Sequence, residues 1–265
     1  MFTFPIAFYK SASGAAGDTP LLDTYGNADL ALSLRKLNSS YTGNCIKVRR
    51  TSDNSEADIG FTAGGLLDTT ALLAHCGESN GFVTVWYDQS GNNNNAVQTT
   101  AVNQPLICTQ GFVLTKNGLP FILFKAHNST YINGASNNHG MNSHLDLTSD
   151  ISLGDDGLCV NVLSRVTNNG NIPSLAGTTS GTPPYPGGTY SAGTLYMADA
   201  KRYVGNNVAD YNNLQLLTGS YNANNIYLER GGWAFNTAAH SNYGRTPDTV
   251  NEIGRYSTST GCQGS

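Results

Sequence analysis

The feature that most constrains this chain is a succession of short runs rich in β-branched and aromatic residues, each closed by a turn of Asn, Gly, Asp or Pro. Gly81-Phe-Val-Thr-Val-Trp-Tyr87 is the plainest case, and it runs into the polar turn Asp88-Gln-Ser-Gly-Asn-Asn-Asn-Asn95. Residues of this kind favour a pleated, buried strand, and the short polar side chains after it bond their own backbone and bend the chain. At Cys45–Arg50, Ile46 and Val48 alternate with Lys47 and Arg49, the period-two pattern of a half-buried strand. Further strands are expected at 104–108, 112–115, 120–125, 158–166, 194–198, 215–221, 225–230 and 250–256. Runs of this length and spacing build β-sandwiches.

Two short helices are expected before this array. Ala28, Leu30, Ala31, Leu34 and Leu37 fall at helical spacing behind Asn27, and a second helix is expected over Asp68–His75, capped by Asp68 and ended at Gly77. Two stretches, Ala126–Ser143 and Gly177–Gly193, read as long loops, and loops of that length in compact domains are often functional. The expected organisation is an N-terminal arm over 1–20 and a single domain over 21–265, with no repeat or linker.

Charge narrows the function classes. The 265 residues carry 14 Lys and Arg against 18 Asp and Glu, a net charge of −4, so nothing marks a nucleic-acid or anionic-membrane partner. Charged residues are only 12% of the chain, leaving Asn, Ser, Thr and Gly to supply the polar surface. No apolar run approaches a membrane span, and Met1–Tyr9 lacks the pattern of a secretion signal. Cys45, Cys76, Cys108, Cys159 and Cys262 form no C-x-x-C pair and read as buried free thiols.

The candidate chemistry is sparse. Gly77-Glu-Ser-Asn-Gly81 fits the G-x-S-x-G pattern, yet a helix precedes it and a strand follows, the reverse of a nucleophile elbow, so it reads as a turn. His127, His139, His144 and Asp146 carry metal-ligating groups, but their spacing matches no metal motif, and they read as a solvated polar loop. Asp155-Asp-Gly157 reads as a turn rather than a calcium site. No metal or cofactor is expected. Glycosidases need two carboxylates flanking the scissile bond, and of the four glutamates Glu56 and Glu78 fall in polar turns while Glu229 and Glu252 fall in expected strands, unpaired by the sequence. Aromatic rings near Asn- and Gly-rich loops suit sugar stacking, which marks Tyr185, Tyr190, Trp233 and Tyr243 as glycan-binding candidates in the loops 177–193 and 231–243.

The segment Leu21–Thr100 holds LLDTYGNADLALSLRKL, YTGNCIKVRRTSDN, DIGFTAGG, LDTTALL and GFVTVWYDQSGNNNNAVQ in order. It resembles the front of a concanavalin A-like jelly-roll β-sandwich, in particular the catalytic domain of family fifty-four α-L-arabinofuranosidases, with similar modules in phage virion proteins. Tyr87-Asp-Gln-Ser-Gly-Asn92 is the most specific piece. The resemblance implies a mainly β fold with two early helices and a glycosidase site. It places the family's nucleophilic Glu in a strand like Ser191–Met197, where Gly193 stands, and the family's acid Asp in a stretch like Ile253–Gly261, which holds no carboxylate. Asp88 and Asn92 then read as structural turn residues. Relatives add one more strand beyond the Ile253-like strand, so the sandwich is expected to lack its last strand, with the bare edge covered by a neighbouring chain.

The expectation from sequence is therefore a non-enzymatic virion surface protein, a phage decoration, fibre or glycan-contacting module. Its expected partners are virion subunits, copies of itself or host-surface glycans, at the virion surface or outside the cell. The alternative is a secreted α-L-arabinofuranosidase-type hydrolase.

Overall fold

The computed structural model describes residues 19–26, 28–116, 118–124, 143–153, 158–164, 185–190, 194–199, 202–207, 215–221, 225–230, 233–239 and 248–253. The fold is mainly β, its sheets antiparallel, with two α-helices and one short 3-10 turn among these residues. The chain forms two compact units, one of Tyr9–His127 with Asn142–Thr148, the other of Met1–Phe8, Asn128–Met141 and Ser149–Ser265.

The first unit contains α1 (Leu21–Tyr25), β1 (Ile46–Arg50), β2 (Glu56–Ile59), α2 (Thr69–Cys76), β3 (Gly81–Trp86), β4 (Ala96–Val97), β5 (Leu106–Thr109), β6 (Phe112–Val113), β7 (Thr115–Lys116) and β8 (Leu119–Pro120). Its sheet runs β2-β1-β3-β4 and on into β9 (Leu145–Leu153), with β5 pairing β3 beside β4 and β6 pairing β5. Alternation decides the faces: Ile46, Val48, Val83, Ile107 and Leu145 are fully enclosed, whereas Lys47 and Arg49 are not. Helix α2 forms because the Asp68 carboxylate accepts from the Ala71 N–H at 2.9 Å, and it ends at Gly77, whose φ of +55° suits a residue without a Cβ. Leu72, 0% exposed, anchors it. At its last turn the Arg50 guanidinium donates to the His75 carbonyl at 2.9 Å and the His75 ring meets the Val48 carbonyl at 3.0 Å.

Residues 28–37 correct the first expected helix. They are irregular, and the helix lies earlier, at α1. Ala28, Ala31, Leu32 and Leu37 are buried, so the apolar pattern reports burial. The backbone groups that a helix would pair internally are taken by distant partners instead. Ala31 N–H donates to Asp88 Oδ1, Leu37 N–H to Gln89 Oε1, and Leu67 N–H to the Leu34 carbonyl. His144 is a second correction: the solvated loop expected there is a buried approach to β9, with His144 3% exposed beside Leu145. His127 and His139 lie outside the described residues.

The second unit contains β10 (Leu158–Ser164), β11 (Tyr185–Tyr190), β12 (Thr194–Asp199), β13 (Arg202–Asn207), β14 (Gln215–Tyr221), β15 (Asn225–Arg230), β16 (Trp233–Ala239) and β17 (Asp248–Ile253). Four strands pair in the order β10-β14-β15-β16 and three in the order β11-β12-β13, while β17 pairs β9. Strands β11, β12 and β13 approach β14, β15 and β16 respectively. The expected loops 177–193 and 231–243 thus each contain a strand. Pro186, Gly187 and Gly188 disguise β11, and its pairing with β12 slips between Tyr185 and Gly188, a bulge where such residues are tolerated. The expected arm 1–20 falls almost wholly outside the described residues.

Candidate functional site

The turn after β3 is built around a buried carboxylate. Asp88 is 2% exposed. Its Oδ1 accepts the N–H groups of Ala31 and Ser90, both at 2.9 Å, and its Oδ2 accepts the Ser90 hydroxyl at 2.6 Å and the Asn94 N–H at 3.1 Å. Gln89, fully buried, accepts from the Leu37 N–H at 2.7 Å and donates to the Ser33 and Arg35 carbonyls, both at 3.0 Å. Asn92 donates to the Ala28 and Asp29 carbonyls at 3.2 and 3.1 Å. Asp88, Gln89 and Asn92 thereby fasten the irregular 28–37 segment to the end of β3. With its lone pairs committed to four donors, the Asp88 carboxylate is poorly placed to serve as a nucleophile or proton carrier.

Beside this turn, Tyr87 donates its hydroxyl to Asp58 Oδ1 at 2.6 Å, and Lys47 approaches the same oxygen at 3.9 Å. Burial, aided by the neighbouring Asp58 carboxylate, pushes the Tyr87 phenol far above its ordinary range. A phenol raised on folding contributes stability that is complete below its unfolded pKa of about 10 and is lost as pH climbs above that value. Urea midpoints measured from pH 8 to pH 11 are expected to fall for the wild type and to fall less steeply for Tyr87→Phe.

A polar chain crosses the same sheet. Arg49 Nε donates to Gln104 Oε1 at 2.8 Å and stacks 5.4 Å from the centre of the Phe82 ring. Gln104 donates to the Gln98 carbonyl at 2.9 Å, and the Gln98 amide nitrogen lies 2.9 Å from His144 Nε2. His144 Nε2 is also 3.5 Å from Asp146 Oδ1. Of His127, His139, His144 and Asp146, weighed and set aside as metal ligands, this joins His144 to Asp146, and no cluster of three metal-ligating side chains occurs among the described residues. Asp155 and Asp156 lie outside the described residues.

Register places the remaining candidates. Tyr185 and Tyr190 lie at the two ends of β11, paired with Ala198 and Thr194. On β12 and β13, Tyr196 pairs Gly188 and Gly205, and Ala198 pairs Tyr203. One face of the three-stranded sheet thus holds Tyr185, Tyr190, Tyr196 and Tyr203 with Thr194 and Asn207, and the other holds Leu195, Met197 and Val204. Trp233 pairs Arg230 on β15, on the same sheet face as Leu228 and Ile226. Tyr243 lies outside the described residues.

Glu229 occupies an interior strand. It pairs Thr218 on β14 and Ala234 on β16, and Thr218 pairs Asn161 on β10, so Asn161, Thr218, Glu229 and Ala234 form one row across the four-stranded sheet. The next row on that face is Cys159, Ser220, Tyr227 and Thr237. Glu56 and Glu78 are exposed on the first unit, and Glu252 sits on β17 at the end of the strand order. Glu229 is the glutamate held between paired neighbours, with hydroxyl and amide residues in its row. Sequence reasoning left it unpaired because a strand's neighbours are set by register, which alternation alone does not give. Ser191–Gly193 and the stretch 254–261, where the resemblance places the family's carboxylates, lie outside the described residues.

Residues 14–112 match the family model "Alpha-L-arabinofuranosidase B, catalytic". The α-L-arabinofuranosidase B of Aspergillus kawachii is 36% identical over 84 residues, 31% of this chain and 16% of that protein, and the enzyme of Emericella nidulans is 37% identical over 87 residues, 32% and 17%. A glutamate-to-glutamine mutant of a GH54 α-L-arabinofuranosidase soaked with 4-nitrophenyl α-L-arabinofuranoside superposes with a TM-score of 0.61 and 16% identity, over 85% of this chain and 55% of that one. An arabinofuranosidase complexed with arabinofuranosyl-α-1,2-xylobiose gives 0.59 and 18%, over 83% and 53%. These findings overturn the expectation of a non-enzymatic phage or virion structural protein: family model, curated relatives and solved structures point to arabinofuranosidases, the alternative reading. The expectation leaned on the absence of carboxylates at Ser191–Met197 and Ile253–Gly261. The chain spans about half the length of the solved enzymes and a sixth of the curated ones is matched; within those bounds its fold is that of the GH54 arabinofuranosidase structures, and its front third resembles their family's catalytic region.

Proposed function

We propose that this chain is a glycoside hydrolase of the α-L-arabinofuranosidase type, removing arabinofuranosyl groups from substituted glycans outside the cell. The observation that carries the reading is the fold likeness over 85% of the chain to a GH54 arabinofuranosidase. The match of residues 14–112 to the family's catalytic model supports it independently. In this reading the two sheets of the second unit are layers of a concanavalin A-like jelly-roll sandwich, consistent with the approach of β11, β12 and β13 to β14, β15 and β16.

Glu229 is the proposed nucleophile or base. Hydrolysis of a glycoside needs one carboxylate on the anomeric carbon's side and a second to protonate the leaving oxygen. A place in the middle of a sheet holds the first carboxylate on a rigid element, with Thr218 and Asn161 alongside as hydrogen-bonding residue types. Asp150, Asp199, Asp248 and Glu252 are the other acidic positions in described strands of this unit, and the acid is sought among them by substitution.

Tyr185, Tyr190, Tyr196 and Tyr203 are proposed to bind the glycan. Sugar rings present apolar faces that stack on aromatics, and residues sharing a sheet face recur about every 7 Å along a strand and about 4.8 Å across it, the scale of one sugar residue. Tyr196→Ala is expected to raise KM for an arabinofuranosyl-substituted xylo-oligosaccharide about tenfold and to leave kcat nearly unchanged, a loss near 1.4 kcal/mol of binding. Trp233 and Tyr243 are retained as glycan-contacting candidates to be tested in the same assay.

The test is hydrolysis of 4-nitrophenyl α-L-arabinofuranoside by the purified chain, set against a panel of 4-nitrophenyl pyranosides. Turnover confined to the arabinofuranoside supports the reading, and a flat panel overturns it.

A further inference from the structure

Two thiols meet where the first unit's helix joins its sheet. Cys76 is the last residue of α2, and Cys108 lies on β5 directly across from Gly81, the first residue of β3. Both are buried, at 2% and 0% exposure. Gly81 has no side chain to part them. A Cβ there would lie 2.5 Å from the Cys76 sulfur and 3.1 Å from the Cys108 Cβ, so the Cys76 thiol occupies the space a cross-strand side chain would fill beside Cys108. The Cys108 thiol lies 4.0 Å from the Ser79 carbonyl, in the turn that leaves α2.

We infer that Cys76 and Cys108 are the two halves of a disulfide that ties the end of α2 to β5 when the protein folds in an oxidising compartment. The inference is independent of the hydrolase reading; Cys76 and Cys108, like Cys45, are buried free thiols in the structure, as the sequence led us to expect, and the proposal concerns their oxidised state. A thiolate of one cysteine attacks a sulfur of a low-molecular-weight disulfide, here oxidised glutathione, expelling one glutathione thiolate and leaving a mixed disulfide. The second cysteine's thiolate then attacks the protein sulfur of that mixed disulfide and expels the second glutathione. Two protein S–H bonds and one glutathione S–S bond are lost, one protein S–S bond forms, and the two protons end on two reduced glutathiones. Burial pushes the Cys76 thiol up to about 12 and raises Cys108 as well, so the folded protein holds little thiolate. The bond therefore forms before α2 closes on the sheet, or through its local opening, and once formed it is shielded from reductant.

Glu78 offers a direct assay, since cleavage after it leaves Cys76 and Cys108 on different fragments. The full chain is folded in a glutathione redox buffer, unfolded in N-ethylmaleimide so that every free thiol is blocked, and digested with a glutamate-specific protease together with trypsin, whose cut after Lys116 parts Cys108 from Cys159. The expected result is a pair of fragments carrying Cys76 and Cys108 that stay joined without reductant and separate with it. Fragments that separate without reductant, or a mass joining either cysteine to Cys45, Cys159 or Cys262, overturn the inference. A second readout is thermal: reductant is expected to lower the wild-type Tm by about 5–10 °C, from the loss of a closed loop of some thirty residues, and to leave the Cys76→Ala/Cys108→Ala variant unchanged. Equal responses in the two proteins would also overturn it.

Discussion

Replacing Glu229 by Gln is expected to lower kcat on 4-nitrophenyl α-L-arabinofuranoside at least about 10³-fold, with the urea midpoint within experimental error of the wild type. The substitution keeps the shape of the side chain and its place in the Asn161, Thr218, Glu229, Ala234 row, so pairing across β14, β15 and β16 is retained. What it removes is the negative charge that, in the proposed mechanism, attacks the anomeric carbon or activates water there. Glu56→Gln, exposed on the first unit, is the natural comparison. If Glu229→Gln retains wild-type kcat, the assignment of the nucleophile fails even if the protein hydrolyses arabinofuranosides.

The largest effect on stability is expected at Asp88→Ala. Four donors converge on this carboxylate, and truncation leaves the Ala31, Ser90 and Asn94 N–H groups without acceptors in a site closed to water. A loss of about 3–5 kcal/mol is expected from urea denaturation. Asp88→Asn should cost less, because it keeps an oxygen for Ala31 and Ser90 while its amide group turns a donor toward the Asn94 N–H. A change within 0.5 kcal/mol for Asp88→Ala would mean that the segment 28–37 is not held by this carboxylate.

These two residues also mark how far the sequence can be read. The Asp68 cap, the Gly77 stop and the alternation at Ile46–Arg50 and Gly81–Trp86 are local signals, and the structure places α2, β1 and β3 on them. Residues 28–37 defeated the same logic because apolar spacing reports burial, whereas the partners of their backbone groups, Asp88 and Gln89, lie more than fifty positions away. His144 misled in the opposite sense: its Asn-rich surroundings suggest solvent, yet Leu145 and Leu147 draw it into the sheet. Strand β11 was hidden by Pro186 and two glycines that a bulge accommodates. The candidate site was the least legible part. Tyr185 and Tyr190 were visible as aromatics, but their common face with Tyr196 and Tyr203, and the row that contains Glu229, exist only once register is known.

The functional error has the same root. The motif around Tyr87–Asn92 identified the right relatives, but the step from it to a non-enzymatic protein depended on matching the second half residue by residue to a family with which the chain shares only 16–18% identity in the solved structures. At that distance a fold persists while the alignment of individual strands drifts.

The central claim is that this chain cleaves arabinofuranosyl glycosides, and release of free arabinose from arabinofuranosyl-substituted xylan tests it most directly. The account predicts arabinose as the released sugar, accumulating in proportion to the amount of wild-type protein and reduced to background by Glu229→Gln. No arabinose above the enzyme-free control, from protein shown to be folded, would contradict it.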